Sequence, residues 1–268
     1  MLSDALAVLA SLGVDHEIIV VDDCSTDATA AIAEAAGGVR VVRNVQNSGY
    51  GYSLMRGITT AEYDTVAIID ADGSYAVQDL ERLFAEYRRG FAMVVGHRHG
   101  EHYDGGTGMK LLRAAFRGLA QFIVGRDVPD VNSGLRIFDR ASVLPLLPHM
   151  SYGFSFTTSI TLLFMMRALP VAYVAVGYRK RSGQSKVRYF RDSLRALQII
   201  TSITARLNPI KLFLLAAVVN VVLMLPVLAV LACRGDAGIA AVLVLETSAI
   251  LVGLGFVVQA LVDKQQLP

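Results

Sequence analysis

Two long uncharged stretches near the C-terminus constrain this chain more than any other feature. Leu212 to Ala232 is 21 residues without a charge, and Ile239 to Val262 is nearly as apolar apart from Glu246. A helix rising ~1.5 Å per residue crosses a ~30 Å hydrocarbon core in about 20 residues. Both stretches are long enough to span a bilayer, and only Cys233–Gly238 separates them. They are expected to form a transmembrane hairpin, with spans at 211–232 and 239–262. Buried core helices are the competing reading, but neither stretch has a polar face to show water. The composition, 54% hydrophobic, is too apolar for a soluble protein throughout, and the excess sits in these two runs.

Orientation follows from the flanking charges. Arg179, Lys180, Arg181, Lys186, Arg188, Arg191, Arg195, Arg206 and Lys211 precede the first span, whereas the loop between spans carries only Arg234 and Asp236. Cytoplasmic loops hold the excess of Lys and Arg, so residues before the first span are expected in the cytoplasm. The net charge of +2 averages this basic stretch with an acidic N-terminal part. Cys24 would then lie in a cytoplasmic loop and Cys233 at the far end of the first span, so they cannot pair, and a reducing compartment requires no disulfide.

Residues before about 180 alternate strand-like and helix-like runs, the pattern of an α/β domain with a mainly parallel sheet. Strands are predicted over Glu17–Val21, Val39–Arg43, Thr65–Ile69 and Phe91–Val95. Helices are predicted over Ser3–Leu12, Asp27–Ala36, Tyr52–Thr60, Val77–Arg89, Lys110–Val124 and Thr157–Ala168. Asp22-Asp23 and Asp70-Ala71-Asp72 each follow an apolar strand directly. In an open parallel sheet the carboxyl ends of the strands form the ligand edge, so both acidic clusters are expected to face one crevice. From Arg188 to Leu207 the spacing predicts an amphipathic helix, with Arg188, Arg191, Arg195 and Arg206 on one side and Phe190, Leu194, Leu197 and Ile200 opposite. Such a helix lies in a headgroup plane or packs on the preceding domain.

The acids suggest a chemistry. Asp70 and Asp72 are spaced to share a hard cation, and Mg²⁺ takes one or two carboxylates and completes its shell with phosphates and water. A helix cap or turn acid is the bland alternative for each. Ser25, Thr26 and Asp27 are placed to cap the following helix. Asp22 and Asp23 are too far for that and are suited to accept hydrogen bonds from a base or a ribose. Gly49 and Gly51 mark a tight turn that would let the backbone approach a ligand, with Arg56 one helical turn beyond.

Six segments in order carry a resemblance: VDDCSTD at Val21–Asp27, NSGYGYSLMRG at Asn47–Gly57, DADGSY at Asp70–Tyr75, NSGLRIFDR at Asn132–Arg140, GFSFTTSITL at Gly153–Leu162 and YRKRSGQSK at Tyr178–Lys186. Together, over residues 14 to 211, they resemble the family-2 glycosyltransferases of GT-A fold, most closely the polyprenyl-phosphate (dolichol-phosphate-like) sugar synthases. The resemblance implies a GT-A domain over residues 1–185, an amphipathic juxtamembrane helix over 186–210, and a membrane enzyme with its catalytic domain on the cytoplasmic face of a bacterial-type inner membrane. It implies a nucleotide-sugar donor, UDP- or GDP-linked, a polyprenyl phosphate acceptor, and Mg²⁺ or Mn²⁺ as cofactor. Asp22, Asp23, Gly49, Gly51, Arg56, Asp70, Ala71 and Asp72 match donor-binding positions, with Asp70 and Asp72 as the metal pair. Arg136, Arg179, Arg181 and Lys186 match basic positions near donor or acceptor phosphates, and Asp72, Arg136 and Lys186 are the implied catalytic set. Nucleic acid is not among the implied partners, and a homo-oligomer is compatible.

The chain departs from the family pattern in three places. The family usually begins with a strand, and this chain is read as starting inside the helix that follows it, so the sheet is expected to have unpaired neighbours and a gap, with the natural start upstream or the chain a fragment. Cys24 stands where glycine is commoner, and Ser74 where some relatives place a metal-binding glutamine. Other readings are weaker. A haloacid-dehalogenase-type phosphatase shares the strand–Asp-x-Asp pattern but needs a later pair of acids, absent after Asp72. A processive polysaccharide synthase needs a tryptophan-containing motif, and the chain has no Trp. A non-catalytic membrane scaffold descended from such an enzyme is the third. His97, His99 and His102 lack the distant ligands of a zinc site. Glu246, costly in lipid, is read as snorkelling or lining an oligomer contact, and Asn220 is expected at a different depth.

Overall fold

A computed structural model describes residues 1–100, 107–179, 189–234 and 237–266. The chain forms two compact units, Met1–Ile199 and Ile200–Pro268.

The first unit begins with helix α1 (Leu2–Ser11), strand β1 (Ile18–Asp22), helix α2 (Thr29–Ala35) and strand β2 (Val39–Arg43). Helix α3 (Tyr50–Thr60), strand β3 (Thr65–Ile68), helix α4 (Asp79–Tyr87) and strand β4 (Met93–His99) follow. Then come helix α5 (Thr107–Val124), strand β5 (Arg136–Asp139), a short helix α6 (Arg140–Val143) with a 3₁₀ turn (Leu144–His149), helix α7 (Phe156–Met166) and strand β6 (Val171–Gly177). The Asp139 carboxylate caps α6 by accepting from the Ser142 N–H at 2.6 Å, supplying one of the partners a helix start lacks.

Strands β1 and β2 pair in parallel, as do β4 and β6, while β5 runs antiparallel between β3 and β4. The predicted α/β architecture holds; β5 and β6 are additions to the predicted strands, and β5 makes the larger sheet mixed. One face of that sheet is covered by α4, whose Leu80 and Leu83 pack with Val94, Leu135, Ile137 and Val176, and Val8 of α1 joins the same cluster. Burying a side chain of this size contributes about 1.5–3 kcal/mol. Helix α7 is buried along Phe156–Met165. Its Thr157, Ser159 and Thr161 hydroxyls donate to carbonyls three or four residues back, which is how a helix so rich in hydroxyls can be buried.

The sheet is split. Among the described residues, neither β1 on the side away from β2 nor β3 on the side away from β5 has a strand partner. A single cavity is lined both by Ile18–Val21 of β1 and by Thr65–Ile68 of β3. The apolar residues of β1 are consequently only half-buried, and Thr65 and Ala67 of β3 are exposed.

Helix α8 (Tyr189–Leu207) crosses the boundary between units. Ala196, Ile200 and Ile203 form its buried stripe, while Leu194 and Leu197 are exposed. In the second unit, helices α9 (Pro209–Cys233) and α10 (Ala237–Gln266) pack along their lengths. Pairing is antiparallel: Asn220 donates to the hydroxyls of Thr247 and Ser248 at 2.9 and 3.1 Å, and Gly255 lies against Phe213, where a Cβ would come within 2.9 Å. Both helices are long and apolar enough to cross a membrane, and only 6% and 11% of their most apolar windows are buried, which core helices would not show. Asn220 therefore lies level with the residues that follow Glu246, which corrects the expected difference in depth. Glu246 itself is exposed.

Candidate functional site

The two acidic clusters are joined through the first turn of α3. Asp23, just past β1, accepts from the backbone N–H of Ser48 at 2.8 Å and of Gly49 at 2.9 Å, and from Asn44 Nδ2 at 2.8 Å. Burial raises the Asp23 pKa, but these bonds outweigh it and hold the carboxyl below its ordinary value. Asp22 accepts from the Ser25 N–H at 3.2 Å. Both acids thus have backbone partners that sequence spacing did not reveal. Tyr50, the first residue of α3, donates its hydroxyl to Asp70 Oδ1 at 2.8 Å.

Asp70 lies two residues past β3 and Asp72 follows in the turn. Burial chiefly, with the nearby charge of Asp72, raises the Asp70 pKa against the opposing pull of Tyr50, Arg98 and Arg136. Two carboxylates that disfavour each other's charge would be relieved by a cation. The donor set suits one that takes two carboxylates and draws its remaining ligands from phosphates. No cluster of three or more His, Cys, Asp or Glu able to hold a metal occurs among the described residues. Ser74 offers no further ligand, because it is fully buried and gives both its N–H and its hydroxyl to Asp72 Oδ1.

Cations approach the pair from two directions. Arg98 of β4 lines the same cavity as Asp70 and Asp72, lies 5.4 Å from the Tyr178 ring centroid and is fixed by Asp130. The Arg179 N–H donates to Ser74 O at 2.9 Å, which places this exposed residue beside the acidic turn. Arg181 and Lys186 lie outside the described residues.

Other expected site residues have structural partners of their own. Arg136 does not line the cavity. It is fully buried and donates to Ser133 O, Val131 O and Thr161 Oγ1, so it sets the positive potential beneath Asp70 without touching the cavity. Gly51 is small because of the chain itself, since a Cβ there would stand 2.1 Å from Ser151 O. Gly49, at φ +98°, lies against Tyr152 O in the same way. Arg56 donates to Arg43 O and Asn44 Oδ1 and so braces the loop that holds Asp23. Ala71 is exposed in the turn and lines the cavity with its two neighbours.

Four residues escaped sequence reasoning: Tyr50, Arg98, Asp130 and Gly134. The Asp70 carboxylate lies so close to Gly134 that a Cβ would come within 2.1 Å of Oδ2. Gly134 belongs to the NSGLRIFDR segment, which was the available signal. The ring centroids of His97 and His99 lie 4.1 Å apart, whereas His102 is outside the described residues.

The chain has counterparts among known proteins. Residues 2–145 match the family model for glycosyl transferase family 2. The chain belongs to that family. An uncharacterised glycosyltransferase of Mycobacterium bovis is 41% identical over 92 residues, 34% of this chain and 41% of its own length. The matched stretch thus spans less than half of that relative. A dolichyl-phosphate hexose transferase of Haloferax volcanii is 30% identical over 179 residues, covering 65% of this chain and 75% of the relative. Among solved structures, glucosyl-3-phosphoglycerate synthase of Mycobacterium tuberculosis, crystallised with Mn²⁺, UDP-glucose and phosphoglyceric acid, superposes with a TM-score of 0.55 at 22% identity, over 75% of this chain and 73% of that one. This family-2 chain therefore has the GT-A fold, on which Asp70 and Asp72 lie in the segment that follows β3.

Proposed function

We propose that this family-2 protein is a membrane-anchored glycosyltransferase that moves a sugar from a nucleotide-sugar to a polyprenyl phosphate. The observation carrying the reading is the shared cavity lined by Asp70, Asp72 and Arg98, in a chain that also carries two apolar helices. In this reading residues 1–185 are the catalytic domain, 186–210 a helix lying at the membrane surface, and 211–232 with 239–262 the anchor. The exposed Leu194 and Leu197 suit the surface role. The relative from Haloferax volcanii, named for transfer to a dolichyl phosphate, supports the acceptor class. The neighbour crystallised with UDP-glucose and Mn²⁺ supports the donor class.

Asp22 and Asp23 would face the nucleoside, Asp22 with lone pairs beyond the one Ser25 N–H it accepts. Asp70 and Asp72 would hold Mg²⁺ or Mn²⁺, which when bound supplies charge neutralisation for a departing nucleoside diphosphate. Arg98, kept in place by Asp130, would face the same developing charge. The acceptor phosphate is an anion at neutral pH and needs little or no general base. Arg179, Arg181 and Lys186 would hold it, overcoming its repulsion from the donor diphosphate.

Membranes carrying the protein, given labelled UDP-glucose or GDP-mannose with Mn²⁺ or EDTA, test this directly. The expected result is label in an organic-extractable lipid, abolished by EDTA and reduced by about 100-fold or more in Asp72→Asn. Undiminished transfer by Asp72→Asn would remove the metal pair, and label confined to water-soluble products would remove the lipid acceptor.

A further inference from the structure

We infer that Tyr50 is a positioning residue, which together with Gly134 holds the Asp70 carboxylate in one orientation for a divalent cation. The inference rests on the reading of Asp70 and Asp72 as a metal pair and adds what prepares that pair. An aspartate at a strand end ordinarily turns about its last side-chain bond, and each carboxylate orientation would offer a cation a different oxygen. Asp70 is held from two sides. Tyr50 donates to Oδ1 at 2.8 Å, and the carboxylate lies flat over Gly134, where a Cβ would come within 2.1 Å of Oδ2, 2.4 Å of Cγ and 2.5 Å of Oδ1. Only a residue without a side chain lets the carboxylate lie there.

Tyr50 is itself fixed. Its ring stacks on Phe154 with centroids 5.7 Å apart and planes at 21°, and the N–H of Tyr52 donates to Tyr152 O at 3.0 Å, tying this turn of α3 to the 152–154 loop. Asp23 accepts from Ser48 and Gly49 immediately before it. The hydroxyl is thus delivered to Asp70 by contacts that do not involve Asp70. Groups that hold a metal ligand from behind typically alter metal affinity 10- to 100-fold when removed.

The ring and the hydroxyl have separable roles, which makes the inference testable. The full chain in detergent, with UDP present, is titrated with Mn²⁺, and free Mn²⁺ is read from its paramagnetic resonance signal. Tyr50→Phe keeps the stack on Phe154. It is expected to bind Mn²⁺ about 10- to 100-fold more weakly, with unchanged thermal unfolding and unchanged UDP binding in EDTA, while Asp70→Asn loses Mn²⁺ binding. Wild-type affinity in Tyr50→Phe, alongside loss in Asp70→Asn, would overturn the positioning role and leave the metal pair standing. Equal binding by wild type and Asp70→Asn, or none by either, would overturn the metal pair and this inference with it. Should Tyr50→Phe fail to fold, 3-fluorotyrosine placed at position 50 carries the test. Its more acidic hydroxyl is expected to shift the Mn²⁺ midpoint, and an unshifted midpoint would overturn the role.

Discussion

Arg98 grips both carboxylate oxygens of Asp130, Nε to Oδ2 at 2.7 Å and Nη2 to Oδ1 at 2.8 Å, and its backbone N–H reaches the same Oδ2 at 3.2 Å. The Asp130 side chain is 2% exposed and that of Arg98 15%. Removing one member of a buried pair leaves the other charged without compensation, which costs about 3–5 kcal/mol. Asp130→Asn should therefore lower the thermal midpoint strongly, whereas Arg98→Met, which removes the charge but leaves Asp130 able to protonate, should lower it less at acidic pH.

The same pair has a pH signature. Burial alone would raise the Asp130 pKa, but Arg98 and the N–H groups of Asn132 and Arg98 outweigh it and hold it below the ordinary value. A depressed folded pKa contributes stability that is complete above the unfolded value, ~3.9, and is lost as pH falls through the folded one. The difference in unfolding midpoint between wild type and Asp130→Asn should hold from pH 7 to about 4 and close only below that. A gap that closed between pH 6 and 5 would assign the stabilisation to another group.

Cys24 sits at φ +60°, in the left-handed region that a side chain disfavours by roughly 1–2 kcal/mol. Glycine adopts this backbone freely but loses more chain entropy on folding. Cys24→Gly should stabilise the protein by a net of about 0.5–1 kcal/mol, read as a denaturant midpoint shift at constant slope. Cys24→Ala, which keeps the Cβ, should give no such gain and so separates backbone strain from loss of the thiol.

What the sequence showed and hid divides along one line. β2 spans Val39–Arg43 as its valines predict, and Asp70 and Asp72 were visible because they follow an apolar strand. β5 was hidden because it is four residues long and opens on Arg136, a charge where pattern reading expects an apolar residue. Its burial is made tolerable by Ser133 O, Val131 O and Thr161 Oγ1, none of which local pattern identifies as a partner. Tyr50 and Gly134 were hidden for the same reason, since each acts on Asp70 from a distant part of the chain. Periodicity reports which way a residue faces, and it is silent on what it meets there.

Gly51 meets its own chain. A Cβ at this position would lie 2.1 Å from Ser151 O and 2.7 Å from the Tyr152 carbonyl carbon, so neither a rotamer change nor a small tilt relieves it. Gly51→Ala should cost about 1–3 kcal/mol, as overpacking does, and should also weaken Mn²⁺ binding, because the displaced turn of α3 carries Tyr50. A variant with the expected loss of stability but wild-type Mn²⁺ affinity would show that α3 and Asp70 are not mechanically linked.

The open edges of β1 and β3 make the last prediction. Among the described residues β4 has partners on both sides, whereas β1 and β3 each have one. Backbone N–H groups on an unpartnered edge that borders a cavity have only water to bond, and an edge so exposed is where a sheet opens first. Hydrogen exchange should therefore be slow along Met93–Val95 of β4 and markedly faster at alternate residues of Ile18–Asp22 and Thr65–Ile68, the residues whose N–H groups point away from β2 and β5. The alternation is the discriminating feature. Uniformly fast exchange in β1 and β3 would mean that these strands open entirely, and uniformly slow exchange would mean that the two edges are covered in solution, closing the cavity that lies between them.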